Sequence, residues 1–209
     1  GVARSALESQ ILRPSIDAIT AQFADQPGVR AELLMSVSES ARRLGLFDVA
    51  EVSGREAIAL QAAVAGPRDA RTLDARMRGA MLAKDRGKLD EAEAELRECL
   101  ALAQVEHGEN SKVTTDVRAN LATVQTARTQ FEEAAKNYER ALVWYRANAD
   151  PLDADALGCV GSLASALSNL GRFDEAEPLF RESLDGLRAA LGPSNLRTIQ
   201  GMNNLAGFY

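Results

Sequence analysis

Leu163-Ala164-Ser165-Ala166-Leu167-Ser168-Asn169-Leu170-Gly171-Arg172-Phe173-Asp174-Glu175-Ala176-Glu177 is the clearest copy of a pattern that the chain carries four times. Its Ala176 has counterparts at Ala134, Ala92 and Ala50, its Phe173 at Phe131, Leu89 and Phe47, and its Gly171 at Thr129, Gly87 and Gly45, each 42 residues apart. A fixed period of this length marks stacked copies of one supersecondary element, each too small to bury its own apolar face. It also lowers the expectation of an enzyme, because such arrays offer surfaces rather than chemistry.

Working outward from that stretch, each repeat reads as two helices joined by a tight turn. The first helices are expected near 30–44, 70–86, 112–128 and 154–170, and the second near 48–65, 90–106, 132–148 and 174–191. Asp69, Ser111, Asp153 and Asn195 are one series of N-cap residues, whose side-chain oxygens accept free backbone N–H groups. Gly45, Gly87 and Gly171 end the first helices, where a left-handed residue is needed. Asp48, Asp90, Glu132 and Asp174 open the second helices, against the positive end of the helix dipole. Small residues (Ser38, Ala80, Ala122 and Ala164 on the first helix, Ala50 and its series on the second) let the two helices approach closely. Phe47, Phe131 and Phe173 are expected to plug the gap to the next repeat.

The combination of Gly45, Phe47, Ala50 and Ala57, best matched by the copy quoted above with Ser183-Leu184, resembles the tetratricopeptide repeat. The common repeat has a shorter period; the extra residues here add about one turn, roughly 6 Å, to each helix. With Leu191-Gly192-Pro193 before the next repeat, the long form is similar to kinesin-light-chain repeats and to tandem arrays of many bacterial proteins. The resemblance implies an all-α fold: a right-handed α-solenoid of stacked antiparallel helix pairs, whose concave side, lined by the first helices, binds peptide segments. The lysine/asparagine clamp of the chaperone-binding members is not evident, so chaperone binding is not expected. Gly54, Gly79 and Thr129 depart from the pattern, and Gly158 and Gly161 interrupt a first helix, pointing to local looseness or a closer backbone approach.

The ends do not follow the period. Residues 1–28 are expected to be a capping or linker region, with an amphipathic stretch over 5–24 (Leu7, Ile11, Leu12, Ile16, Ile19 and Phe23) kinked or divided at Pro14. This stretch, with Asp25-Gln26-Pro27 and Leu44-Gly45-Leu46-Phe47, resembles the segment that opens the repeat region behind bacterial serine/threonine kinase domains. Residues 29–209 hold four repeats plus the first helix of a fifth, from Met202 through Asn203, Asn204 and Leu205 to Tyr209. Its missing partner helix leads us to expect further chain, and an open apolar end suited to end-to-end self-association.

Composition narrows the functions. Of 209 residues, 46% are apolar and 26% charged, the balance of a folded chain rather than a disordered one. A net charge of −6 repels a phosphate backbone, so no nucleic-acid partner is expected. No membrane-inserting segment is visible. Cytoplasmic localisation is expected, or an extracytoplasmic one if the repeats belong to a membrane-spanning kinase. Cys99 and Cys159 match no metal spacing, His107 has no nucleophile partner and reads as a solvent-exposed helix end, and phosphate-binding loops are absent. We therefore expect no catalytic residues, no metal and no cofactor.

What remains is the stripe of the first helices opposite Leu34, Val37, Ser38 and Ala41. It takes in Met35, Ser36, Glu39, Arg42 and Arg43, then Met77, Arg78, Met81, Lys84 and Asp85, then Ala119, Asn120, Thr123 and Thr126, then Gly161, Ser162, Ser165 and Asn169, and finally Asn204. Methionine adapts to varied partners, and an Asn amide pairs with an extended peptide backbone. The expected groove residues are Met35, Arg42, Met77, Arg78, Met81, Lys84, Asn120, Thr123, Ser162, Asn169 and Asn204. Basic charge toward the first half fits an acidic or C-terminal carboxylate ligand. The function expected is a non-catalytic protein–protein interaction scaffold; the alternative is a regulatory tail of a larger bacterial signalling protein such as a serine/threonine kinase.

Overall fold

The computed structural model describes residues 6–209; the first five residues of the expected capping region 1–28 lie outside the described residues. After a π-helical turn, Glu8–Leu12, ten α-helices follow among the described residues: α1 Arg13–Gln22, α2 Pro27–Arg43, α3 Phe47–Ala65, α4 Ala70–Asp85, α5 Leu89–His107, α6 Lys112–Ala127, α7 Phe131–Asn148, α8 Ala154–Asn169, α9 Phe173–Leu191 and α10 Leu196–Phe208. The chain is all-α, an α-solenoid of stacked helix pairs, and it divides into two compact units, Gly1–Glu106 and His107–Tyr209.

The caps act as their residue types dictate. Asp69 accepts from the Arg71 backbone N–H, Ser111 from Thr114, Asp153 from Asp155 and Ala156, and Asn195 from Arg197. Each contact satisfies a first-turn donor that has no partner inside the helix. The second helices start one residue earlier than expected, at Phe47, Leu89, Phe131 and Phe173, so Asp48, Asp90, Glu132 and Asp174 lie inside the first turn, still at the positive end of the dipole. Gly45, Gly87 and Gly171 have φ of 72°, 78° and 75°; Thr129, the odd member of that series, is held at φ 61° all the same. The turn geometry is thus imposed by the packed helices around it, at a steric cost to a β-branched residue.

In the N-terminal unit, Pro14 does not break the helix. It sits at the start of α1, and the π turn before it absorbs the missing N–H. Leu12 is buried against Ala41, Leu46, Val49, Ala50 and Leu82, with Leu7 and Ile16 at the margin. Between α2 and α3 the backbones come close: Ser38 Oγ donates to the Ala50 carbonyl at 2.7 Å, and a Cβ on Gly54 would lie 2.7 Å from that Oγ.

The C-terminal unit repeats this device with the partners exchanged. Ser183 Oγ on α9 donates to the Leu157 carbonyl at 2.8 Å, and a Cβ on Gly161 of α8 would lie 2.7 Å from it. These two glycines mark close approach rather than looseness. The core of this unit gathers Ala134, Tyr138, Leu142, Leu163, Leu167 and Phe180. Phe173 is only a partial plug: it stays 56% exposed and lies edge-on to Phe208 of α10, ring centroids 6.0 Å apart.

Candidate functional site

The first helices α2 and α4 of the N-terminal unit stand on either side of an open cleft of about 450 Å³. Glu32, Met35 and Ser36 form one wall, and Arg71, Asp74 and Arg78 the other. The bottom comes from Ala31, Ala70 and Ala75 together with Ala57 and Gln61 of α3. The opening exists because alanines occupy the positions that face one another; they leave room where a larger side chain would close the wall.

The cleft takes two of the expected groove residues, Met35 and Arg78. Met77 requires a correction. It is 6% exposed and turned into the core, because the inward face of α4 is wider than the stripe drawn from α2. Met81 is half-buried. The remaining cations form ion pairs with their acidic neighbours. Arg42 binds Glu39 at 2.8 Å and also pairs with Asp85, Arg43 reaches Glu39 at 2.9 Å, and Lys84 meets Asp85 at 2.9 Å. Hydrogen bonding from Arg42 holds the Glu39 carboxyl below its ordinary range, and the same bond raises the guanidinium. Arg78 is bound to Asp74 at 2.8 Å. The basic charge expected to draw a carboxylate ligand is therefore neutralised inside the unit.

In the C-terminal unit the same face is mostly uncharged polar, and its side chains bond chiefly to their own helices, Thr123 also meeting the Tyr138 hydroxyl at 3.0 Å. On α6, Asn120 Nδ2 donates to the Asp116 carbonyl at 2.9 Å, Thr123 Oγ1 to Ala119 at 3.0 Å and Thr126 Oγ1 to Ala122 at 2.9 Å. On α8, Ser162 donates to Gly158 at 2.9 Å, Ser165 to Gly161 at 3.0 Å and Asn169 to Ser165 at 2.8 Å. Asn204 of α10 is exposed. Tyr145 of α7 fills the floor between α6 and α8. Its hydroxyl donates to Asp116 Oδ1 at 2.9 Å, and Asp116 also takes Lys112 at 2.7 Å. Burial first, and then the neighbouring Asp116 charge, push the Tyr145 hydroxyl well above its ordinary pKa.

The groove residues absent from the expected set are Glu32, Arg71 and Asp74, early in the first helices, and Gln61, on a second helix. The second-helix slot Gln61, Ala103, Tyr145, Leu187 carried a signal: one amide in an otherwise apolar or aromatic series. The thiols do not offer nucleophiles, since burial pushes both Cys99 and Cys159 up to about 12. His107, expected to be exposed, is half-buried at the end of α5. Among the described residues no three His, Cys, Asp or Glu side chains gather as a metal site, and no helix is long and apolar enough to cross a membrane.

The tetratricopeptide repeat family matches residues 75–145 and, in a second form, residues 157–196. No curated protein sequence matches the chain. Among solved structures, BtubC (BKLC) from P. vanneervenii is similar with a TM-score of 0.77 and 22% identity, over 98% of this chain and 83% of that one. A putative kinesin light chain of Podosopora anserina, with nearly identical TPR-like repeats, gives 0.70 at 18% identity, over 88% and 87%. A Rap protein complexed with competence and sporulation factor gives 0.69 at 13% identity, over 98% and 61%. At these identities the likeness is one of fold.

Proposed function

The chain belongs to the tetratricopeptide-repeat family, and from that premise we propose that it is a non-catalytic interaction module that takes a peptide or protein segment on the face of its first helices. The observation that carries the reading is the open cleft between α2 and α4, walled by the variable slots of the repeat rather than by its invariant ones. The invariant slots are used up in packing: Ala50, Ala92, Ala134 and Ala176 are fully buried. The Rap protein, a chain of similar fold seen complexed with competence and sporulation factor, supports a binding role.

The experiment is selection of peptides from a random library on the chain, followed by titration against Arg78→Glu and Asn120→Ala. Selected peptides should lose about ten-fold in affinity, near 1.4 kcal/mol, with at least one of the two changes. Affinities unchanged by both place the partner on another surface.

Two narrower readings have their own tests. A regulatory tail behind a serine/threonine kinase rests on the resemblance of residues 5–47; a kinase catalytic loop upstream in the reading frame decides it, and a membrane span between the two decides the compartment. End-to-end pairing rests on Leu196 and Tyr209, each 74% exposed on or beside α10. A concentration-dependent mass, lost on Leu196→Glu, supports it.

A further inference from the structure

Gln61 is out of place by the ordinary rules of burial. It is 5% exposed, on the floor of the α2/α4 cleft, and its carboxamide makes no hydrogen bond to any described residue. Its oxygen and nitrogen are not among the sealed, unpartnered polar atoms of the described residues, so the amide reaches the open cleft with its hydrogen-bonding capacity unspent. The nearby polar groups are engaged elsewhere. Ser36 Oγ donates to the Glu32 carbonyl at 3.0 Å, Arg78 is held by Asp74, and Arg71 by Asp69 at 3.0 Å. Glu32 is the exception on the rim: its carboxylate makes no ion pair and acts on Arg71 only through space. The cleft therefore offers one unpartnered donor–acceptor pair at the bottom and, at the mouth, one carboxylate that no ion pair holds.

A carboxamide carries a C=O acceptor and an N–H donor side by side. Its closest complement is another amide, and one residue of an extended peptide presents its N–H and C=O on the same side in that spacing. The alanines around Gln61 let a peptide backbone descend to it. Resting on the groove reading above, we propose that the α2/α4 cleft is a peptide subsite in which Gln61 pairs with a backbone amide and Glu32 selects a basic side chain on the bound segment.

The C-terminal unit shows how the same floor looks when it is closed. Two periods of 42 residues after Gln61 stands Tyr145, and two periods after Glu32 stands Asp116, which receives the Tyr145 hydroxyl at 2.9 Å. Tyr in place of Gln61 therefore blocks the cleft with a side chain that the fold already accepts, aimed at Glu32.

The experiment is a titration of ¹⁵N-labelled chain with acetyl-Ala-Lys-Ala-amide and, in parallel, acetyl-Ala-Glu-Ala-amide, read at the side-chain amide signals. The Gln61 signals are identified by their absence in Gln61→Tyr and Gln61→Leu, with circular dichroism checking that both variants fold. The lysine peptide should move the Gln61 signals saturably. It should bind about five-fold more tightly than the glutamate peptide, a preference that Glu32→Gln abolishes. Both Gln61 variants should weaken binding at least about ten-fold. Gln61 signals that stay put while those of Asn120 or Asn204 move overturn the subsite and leave the wider groove reading standing. Equal binding of the two peptides overturns the role of Glu32, and binding unchanged in Gln61→Leu overturns that of Gln61.

Discussion

The N-terminal unit leaves the floor between its first helices open over Gln61, whereas the C-terminal unit plugs the corresponding floor with Tyr145 and ties it to Asp116 at 2.9 Å. The backbone pattern is the same in both. The difference lies in one slot of the second helix, and it separates two uses of a repeat. A large side chain there converts the space into core; a short amide converts it into a recess. The charge differs in the same way. The open unit carries Arg42, Arg78 and Lys84, each bound to a carboxylate, and the closed unit carries Asn120, Thr123, Ser162 and Asn169.

The comparison breaks most visibly at Tyr145. Tyr145→Gln should make the C-terminal floor resemble the N-terminal one at a cost of about 2–4 kcal/mol, from lost buried aromatic surface and an Asp116 deprived of its donor. Urea unfolding followed by the fluorescence of Trp144 measures it directly. That residue is the only tryptophan, and its ring lies 5.7 Å from that of Tyr145. A cost near zero means that Tyr145 does not close the floor energetically.

A smaller effect sharpens the contrast in packing. A Cβ on Gly186 of α9 would fall 2.4 Å from Leu157 Cδ2, and Leu157 is buried and closely surrounded. On Gly79 of α4 it would meet only the tip of Ile58 at 2.9 Å, beside a 190 Å³ cavity that both residues line. Gly186→Ala should therefore destabilise by about 1–2 kcal/mol. Gly79→Ala should be neutral or slightly stabilising, since helix propensity favours Ala by about 1 kcal/mol. Urea unfolding of the two variants compares them; equal costs at both sites remove the contrast in packing between Gly79 and Gly186.

The smallest change tests the turns. Thr129→Gly relieves a β-branched residue held at φ 61° and should stabilise the C-terminal unit by about 0.5–1 kcal/mol, measured as a shift of the Trp144 unfolding midpoint. A loss of stability shows instead that the Thr129 side chain contributes a contact that outweighs its strain.

Much of this molecule was legible before its coordinates. The period placed the helix pairs, and the caps at Asp69, Ser111, Asp153 and Asn195 hold as read, because capping depends on residues two or three positions away. The candidate site was only half legible. Met77 was drawn onto an outer stripe and lies in the core, since periodicity gives the direction of a side chain but not the width of the face that a neighbour covers. Gln61 was overlooked because a residue on the second helix lines the cleft only through the stacking of two first helices around it. The pairing of Arg42 with Asp85 joins residues of different repeats and has no local signature, unlike its i,i+3 pair with Glu39.

The back-bonded side chains of the C-terminal unit have a consequence for molecular polarity. Thr123, Thr126, Ser162 and Ser165 each direct their hydroxyl hydrogen at the carbonyl one turn earlier. Each such oxygen then has only lone pairs left to offer; that of Thr123 takes the buried Tyr138 hydroxyl at 3.0 Å, and those of Thr126 and Ser162 lie beside the same hydroxyl. A row of residue types able to give or receive hydrogen bonds thus becomes one-sided, a set of proton acceptors built without a formal charge and gathered largely around one phenol. Among these hydroxyls only the Tyr138 hydrogen is left to give, so backbone N–H groups, amides and ammonium ions complete the set, and bare carbonyls and carboxylates do not.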